Sequence, residues 1–271
     1  MRRPQLHEEA VSSRRPAPGD KAAASANLKT VYQRLFKAFG PQGWWPVTPS
    51  GGLFPLYTPG FYGPLPEEGL LEICVGAILT QNTSWKNAEK ALCALKKAKK
   101  LSLKKIAACP PPALAALIRS SGYHNRKAAK LKALCRRVLR EHPEGLKAWF
   151  ARAAAAPLRA ELLSYNGVGP ETADSIALYA ARKPVFVIDA YARRIAGRLG
   201  LAEGLSYDGW QARFERNLPR DLKMYNEYHA LLVKLGKDFC RKTGPLCAGC
   251  PLNRVCLKKY DKHREHRKIS G

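Results

Sequence analysis

Apolar residues recur at helical spacing along nearly the whole of this chain. Between residues 28 and 39 (LKTVYQRLFKAF), Leu28, Val31, Leu35 and Phe39 share one face, and Gly40 stops the run. The stretch 70–79 (LLEICVGAIL) is apolar on every side, which predicts a central, fully buried helix. Ala88, Ala91, Leu92 and Leu95 mark one face of a third helix, whose other face carries lysines and ends in KKAKK. Pro111 and Pro112 open a helix through Leu114, Leu117 and Ile118 that ends near Gly122. Asn125 is placed to cap the next, RKAAKLKALCRRVLREH, which is basic on its exposed side. Residues 150–156 read as a small-residue link. Later helices bury Ile195 and Leu199, then Trp210, Phe214 and Leu218, and a last one covers 225–239. No segment shows sustained strand alternation with hairpin turns, and no fixed-period repeat is present. The predicted fold class is all-α.

Residues 162–199 hold the densest set of signals. Leu162 and Leu163 close one helix. Asn166, Gly167, Val168 and Gly169 form a tight turn, where glycine permits positive φ and close backbone approach. Pro170 suits the first turn of the next helix, because its missing N–H would be unpaired there anyway. A glycine hairpin leading into a helix start presents free N–H groups that can hold a phosphate. After the apolar run Val185, Phe186, Val187 and Ile188 comes a single acid, Asp189, followed by a helix. Taken alone, that acid reads as an N-cap. Beside a phosphate-binding turn it also reads as a candidate catalyst.

Aromatic residues add a second theme. Trp44 and Trp45 stand side by side in a Gly/Pro loop, just before Pro46, where they either pack a boundary or wall a pocket for a flat ring. Residues 49–66 are rich in Gly, Pro, Phe and Tyr and read as an irregular insertion. After the central helix come Gln81 and Asn82, polar amides suited to fill the gap left by an extruded base, and then Trp85.

The charge balance narrows the partners. Lys and Arg number 47 against 21 Asp and Glu, a formal net charge of +26, which calls for a polyanion. No apolar run approaches membrane-span length and no signal peptide is visible, so an unsecreted, cytoplasmic, nucleoid-associated protein is expected. Residues 1–27 and 261–271 read as basic tails, the first of them disordered.

Eight cysteines are present, and four crowd the C-terminal part. Cys240, Cys247, Cys250 and Cys256 are spaced C-x6-C-x2-C-x5-C within CRKTGPLCAGCPLNRVC. In a reducing compartment such a set binds metal. Zinc and an iron–sulfur cube both suit four thiolates; the long first gap and the basic final loop favour the cube. Cys74, Cys93, Cys109 and Cys135 sit in helical patterns and are expected to be packed thiols.

Taken together, LTQNT, SGYHNRKAAKL, NGVGPETA followed by VIDAYARR, and the cysteine spacing resemble the endonuclease III superfamily of helix-hairpin-helix DNA glycosylases. The resemblance covers roughly residues 28–256. It implies two helical lobes: a six-helix barrel with the hairpin, residues 70–187, and a lobe built from 28–69 plus 188–260 that carries a 4Fe-4S loop. It makes Asp189 the catalytic aspartate and Gln81 the residue that fills the vacated stack, with Asn82 beside it. Gly167, Val168 and Gly169 would bind the DNA backbone, and the four clustered cysteines would ligate iron. Lyase members carry a lysine two residues after the second hairpin glycine; here that residue is Glu171, which cannot form an imine. The monofunctional 3-methyladenine DNA glycosylase branch resembles this chain most. By that likeness Trp44, Trp45, Pro46 and Trp85 sandwich the flipped base. An uncharged lesion would ask for a proton donor near the base, a part that Glu171 or Lys237, both counted with the base pocket, could serve. The implied activity is hydrolytic removal of alkylated purines from damaged double-stranded DNA, without strand cleavage, by a monomer. The alternatives are a glycosylase for uracil, mismatched thymine or deaminated bases, and a non-catalytic iron–sulfur DNA-binding protein.

Overall fold

The computed structural model describes residues 27–201 and 204–257. Asn27, assigned above to the N-terminal tail, instead caps the first helix, its Oδ1 accepting from the Lys29 N–H at 2.9 Å. The rest of the two expected tails, 1–26 and 261–271, lies outside the described residues, as do 258–260.

Helices account for nearly all regular structure among the described residues. In order they are α1 (Leu28–Phe39), α2 (Glu67–Leu79), α3 (Trp85–Lys97), α4 (Leu103–Ala108), α5 (Pro111–Leu117) and α6 (His124–Glu141). There follow α7 (Leu146–Arg152), α8 (Ala155–Leu163), α9 (Pro170–Ser175), α10 (Ala190–Arg198), α11 (Tyr207–Asn217) and α12 (Leu222–Asp238). A single antiparallel bridge, Val47 to Leu56, pinches the insertion. The all-α expectation holds, and the physical basis is the near-absence of period-2 alternation.

Helix α2 is the axis of the molecule. It is buried from Gly69 to Leu79, and α3, α6, α7, α9 and the turn after α9 all pack on it. Each fully buried leucine or isoleucine there contributes about 1.5–3 kcal/mol from removal of apolar surface from water. Helix α12 plays the same part for α1 and α10, through Tyr225, Tyr228, Leu231 and Leu235. Phe186, in the apolar run before Asp189, stacks on Phe214 and meets Tyr225 and Tyr228 edge-on.

Two local expectations are corrected. Residues 150–156 are not a link: α7 and α8 occupy most of that stretch, and Ala153–Ala154 alone separate them. Asn125 does not cap α6. The helix begins at His124 behind Tyr123, which takes a left-handed conformation (φ +46°) after Gly122 (φ +67°), so Asn125 falls inside the first turn. Helix α4 went unread because six residues with Ile106 as the buried one leave no periodicity to detect. Cys74, Cys93, Cys109 and Cys135 are buried thiols, as expected.

Candidate active site

The tryptophan loop is held at both ends by buried carboxylates. Before it, the Gln42 N–H donates to Glu227 Oε2 (2.9 Å), and the Tyr62 hydroxyl donates to Oε1 of the same group (2.9 Å). After it, the Thr48 N–H and hydroxyl both donate to Glu72 Oε1 (3.0 and 2.7 Å), and Lys96 pairs with Oε2 at 2.9 Å. Glu72 belongs to α2 and Glu227 to α12, so the loop is clamped between the two central helices. Removing one partner of a buried, hydrogen-bonded charge leaves the rest unpaired. Glu72→Ala is therefore expected to lose about 3–5 kcal/mol of stability. A thermal melt should fall by roughly 10 °C, and a midpoint near wild type would show that the clamp does not hold the fold.

Between those clamps three indoles meet. Trp44 and Trp45 have ring centroids 5.0 Å apart, and Trp85, at the start of α3, meets them edge-on at 5.1 and 5.4 Å. Gly76 of α2 lets Trp45 approach: a Cβ there would stand 3.1 Å from the indole. Pro46 is buried behind the pair. The indole N–H groups of all three tryptophans are buried with no protein acceptor in reach. Three unpaired donors in one nest run against the usual pairing of buried polar groups.

Asp189 caps α10, its Oδ1 accepting from the Ala192 N–H at 2.7 Å. The N-cap reading of this acid is thus observed, and the cap engages Oδ1 while leaving Oδ2 turned elsewhere. Oδ2 lies 3.6 Å from His229 Nε2. Glu171 and Lys237 are exposed to solvent by area yet crowded by protein. That crowding and then the Asp189 carboxylate push the Glu171 pKa up. The same desolvation pulls the Lys237 pKa down, while Asp238 and Asp189 oppose it. Lys237 Nζ lies 5.9 Å from the Trp44 ring centroid, and Asp189 is near enough to act on the same ammonium electrostatically.

A raised carboxyl pKa means that the charged form is disfavoured in the folded state. The penalty is present above the folded pKa and vanishes once Glu171 is protonated in both states, below about pH 4. Glu171→Gln is expected to raise the melting temperature at pH 7 by about 1–2 °C after allowance for solvent screening. The gain should disappear in acid; a gain that persists there would point to packing instead.

A cavity of about 330 Å³ opens beside the doublet, walled by Trp44, Trp45, Tyr179, Arg182, Asn226 and the insertion. Asp189, Glu171, Trp85 and Lys237 are not among its walls. The cavity therefore shares the tryptophan doublet without sharing the acid.

The hairpin differs in detail from expectation. Gly167 has φ +82°, and a Cβ there would strike the Lys130 stem at 2.5 Å. Gly169 is extended at φ −94° with open space around a notional Cβ. Val168 is buried and anchors the turn. Gln81 does not project freely. Its Nε2 donates to Gly167 O and Thr172 Oγ1 (both 3.0 Å), and its Oε1 accepts from Lys130 at 2.6 Å. Asn82 is exposed beside it at φ +54°. Lys127, one helical turn before Lys130, is buried and donates to Leu79 O and Ser121 O (both 2.7 Å), with its pKa pushed down by burial to about 8. The RKAAKL segment thus braces the end of α2, the LTQNT loop and the hairpin together.

The four C-terminal cysteines lie half-buried around one loop, and Cys250 is near enough to Cys240, Cys256 and Cys247 for their thiols to push its own pKa up, after burial. No acidic residue lies between 240 and 256. Arg198 of α10 donates to Cys240 Sγ at 3.3 Å and to Arg241 O at 2.7 Å. A four-thiol set with a cation on one sulfur fits a negatively charged thiolate-bound cluster.

Residues 75–220 match the model of the HhH-GPD superfamily base excision DNA repair protein. The chain belongs to the HhH-GPD superfamily. A relative from Methanocaldococcus jannaschii, described as a DNA repair glycosylase, is 42% identical over 230 residues, 84% of this chain and 95% of its own. Among solved structures, H. pylori 3-methyladenine DNA glycosylase bound to 1,N6-ethenoadenine is 29% identical, with a TM-score of 0.56, covering 64% of this chain and 89% of that one. A trapped endonuclease III–DNA covalent intermediate superimposes with a TM-score of 0.66 over 86% of this chain and 96% of that one; at 20% identity it attests the fold. The superfamily match spans α2 to α11, so it includes the indole Trp85, the hairpin and Asp189. Trp44, Trp45, Lys237, His229 and the cysteine loop lie outside it. Among the described residues no helix is long and apolar enough to cross a membrane.

Sequence reasoning missed His229, Tyr179, Glu72 and Glu227. His229 and Tyr179 sit in apolar runs that read as core. An acid within an all-round apolar helix was the available signal for Glu72.

Proposed function

We propose that this superfamily member is a monofunctional DNA glycosylase that everts alkylated purines, 3-methyladenine foremost, from damaged duplex DNA and hydrolyses the N-glycosidic bond. The observation that carries the reading is the nest of three indoles, with the Lys237 ammonium 5.9 Å from the Trp44 ring centroid and within electrostatic reach of Asp189. Alkylation at N3 or N7 makes the purine a cation and weakens its bond to the sugar. Each indole face attracts such a ring by about 0.5–2 kcal/mol, and the orphaned indole N–H groups can donate to its acceptors. Little acid catalysis is needed. Asp189 Oδ2, free of the helix cap, stabilises the oxocarbenium-like sugar or orients the attacking water. Gly167, Val168 and Gly169 with the start of α9 hold the DNA backbone. For Gln81 and Asn82 to enter the vacated stack, Gln81 must exchange its hairpin partners for DNA.

Cys240, Cys247, Cys250 and Cys256 would hold a 4Fe-4S cluster. Its part in this reading is to shape the basic loop against α10, whose first residue follows Asp189.

Release of free bases from a methylated duplex, set beside duplexes with single uracils or thymine mismatches, tests the substrate. Release of methylated purines supports the reading; release of uracil without methylated purines overturns it. A strand-cleaving reading rests on Lys237, a lysine with a depressed pKa within electrostatic reach of Asp189. Borohydride trapping separates the two, with no covalent adduct expected from a monofunctional enzyme. An adduct lost in Lys237→Ala would favour the lyase.

A further inference from the structure

Asp189 Oδ2 faces a histidine that the mechanism above does not use. His229, on α12, is 5% exposed, and its Nε2 has no hydrogen-bond partner closer than that carboxylate oxygen, at 3.6 Å. Its other ring nitrogen, Nδ1, lies 2.5 Å from the Tyr179 hydroxyl. Tyr179 comes from a π-helical turn, Ile176–Ala180, that follows α9, and its ring lies 5.6 Å from that of Trp45. Wide turns of this kind are rare and cluster at functional sites, because the extra residue re-aims a side chain. Here the residue re-aimed is the one that touches both the base nest and the histidine.

We infer that His229 is a positioning residue for Asp189: Tyr179 donates to Nδ1, which leaves the proton on Nε2 facing the carboxylate. The opposite tautomer would point a nitrogen lone pair at Oδ2, which is repulsive. With the proton on Nε2, a movement of a few tenths of an ångström closes a charge-assisted hydrogen bond to Oδ2. The carboxylate is then fixed through both oxygens, Oδ1 by the helix N-terminus and Oδ2 by the imidazole. This inference rests on the reading of Asp189 as the catalytic acid.

Two measurements on the full-length, cluster-loaded protein test it. The chain has six histidines, so selective 15N-histidine labelling, with His229→Gln to assign the signal, reads the tautomer directly. The Nε2–H form is expected; the Nδ1–H form overturns the inference whatever the substrate proves to be. The second is single-turnover release of 3-methyladenine from methylated duplex, beside affinity for a duplex carrying a tetrahydrofuran abasic analogue. His229→Phe is expected to slow release by roughly ten- to hundredfold while affinity stays within about twofold of wild type. His229→Gln, whose amide can donate to Oδ2, is expected to recover most of the rate, and Tyr179→Phe to fall between. A His229→Phe rate near wild type, or an equal fall in Phe and Gln variants with affinity lost in parallel, overturns it. If wild-type protein releases no methylated purine, the substrate reading falls by itself and the tautomer decides the inference.

Discussion

Asp189→Asn is expected to lower base release by roughly 10²–10⁴-fold while leaving affinity for damaged duplex unchanged. The substitution isolates chemistry from structure. Asp189 Oδ1 caps α10 through the Ala192 N–H at 2.7 Å, and asparagine caps as well as aspartate does. What is lost is the negative charge on Oδ2, the oxygen that faces His229. Asp189→Ala would remove the cap as well, at about 1 kcal/mol, and so mix a helix effect with a catalytic one. Single-turnover release from methylated duplex, with a melt alongside, gives the answer. An Asn variant that releases base at the wild-type rate would leave Asp189 as a helix cap and nothing more.

The second large effect concerns the cysteine loop. Cys247→Ser is expected to abolish the visible absorption of the purified protein and to take iron from about four atoms per chain to a small residue. The consequences should extend beyond the loop. Arg198 and Arg194, both on α10, donate to Cys240 Sγ, Cys240 O, Arg241 O and Gly236 O. A loop without the proposed cluster would therefore loosen the helix that Asp189 caps. A fall in melting temperature and in DNA affinity should accompany the loss of iron, with the hairpin intact. Stoichiometric zinc in the wild-type protein, with no visible absorption, would sink the iron–sulfur assignment.

Much of the site was legible before any coordinates. The Gly-Val-Gly turn, the acid ahead of a helix, the four-cysteine spacing and the tryptophan doublet are local signals, carried by neighbours in sequence. The structure sharpened several of them. Gly167 needs its positive φ and Gly169 does not; Gln81 is tied to the hairpin and to Lys130; and the cavity of about 330 Å³ beside the doublet excludes Asp189.

By itself the sequence determined the helical class, the face of each long amphipathic helix and the set of chemically equipped residues. Period, capping residues and turn glycines act within a few residues of one another, so a reader of the chain sees them. Tertiary structure decided which of those residues meet. Glu72 and Glu227 clamp the tryptophan loop from helices 24 and 185 residues away from the groups they bind. His229 lies 50 residues from Tyr179. The π-helical turn that aims Tyr179 comes from packing against α2 and α12 and has no signature in composition. A helical period shows which face is buried; the partner on the other side of the core is set by how the helices cross, and that is where this site is assembled.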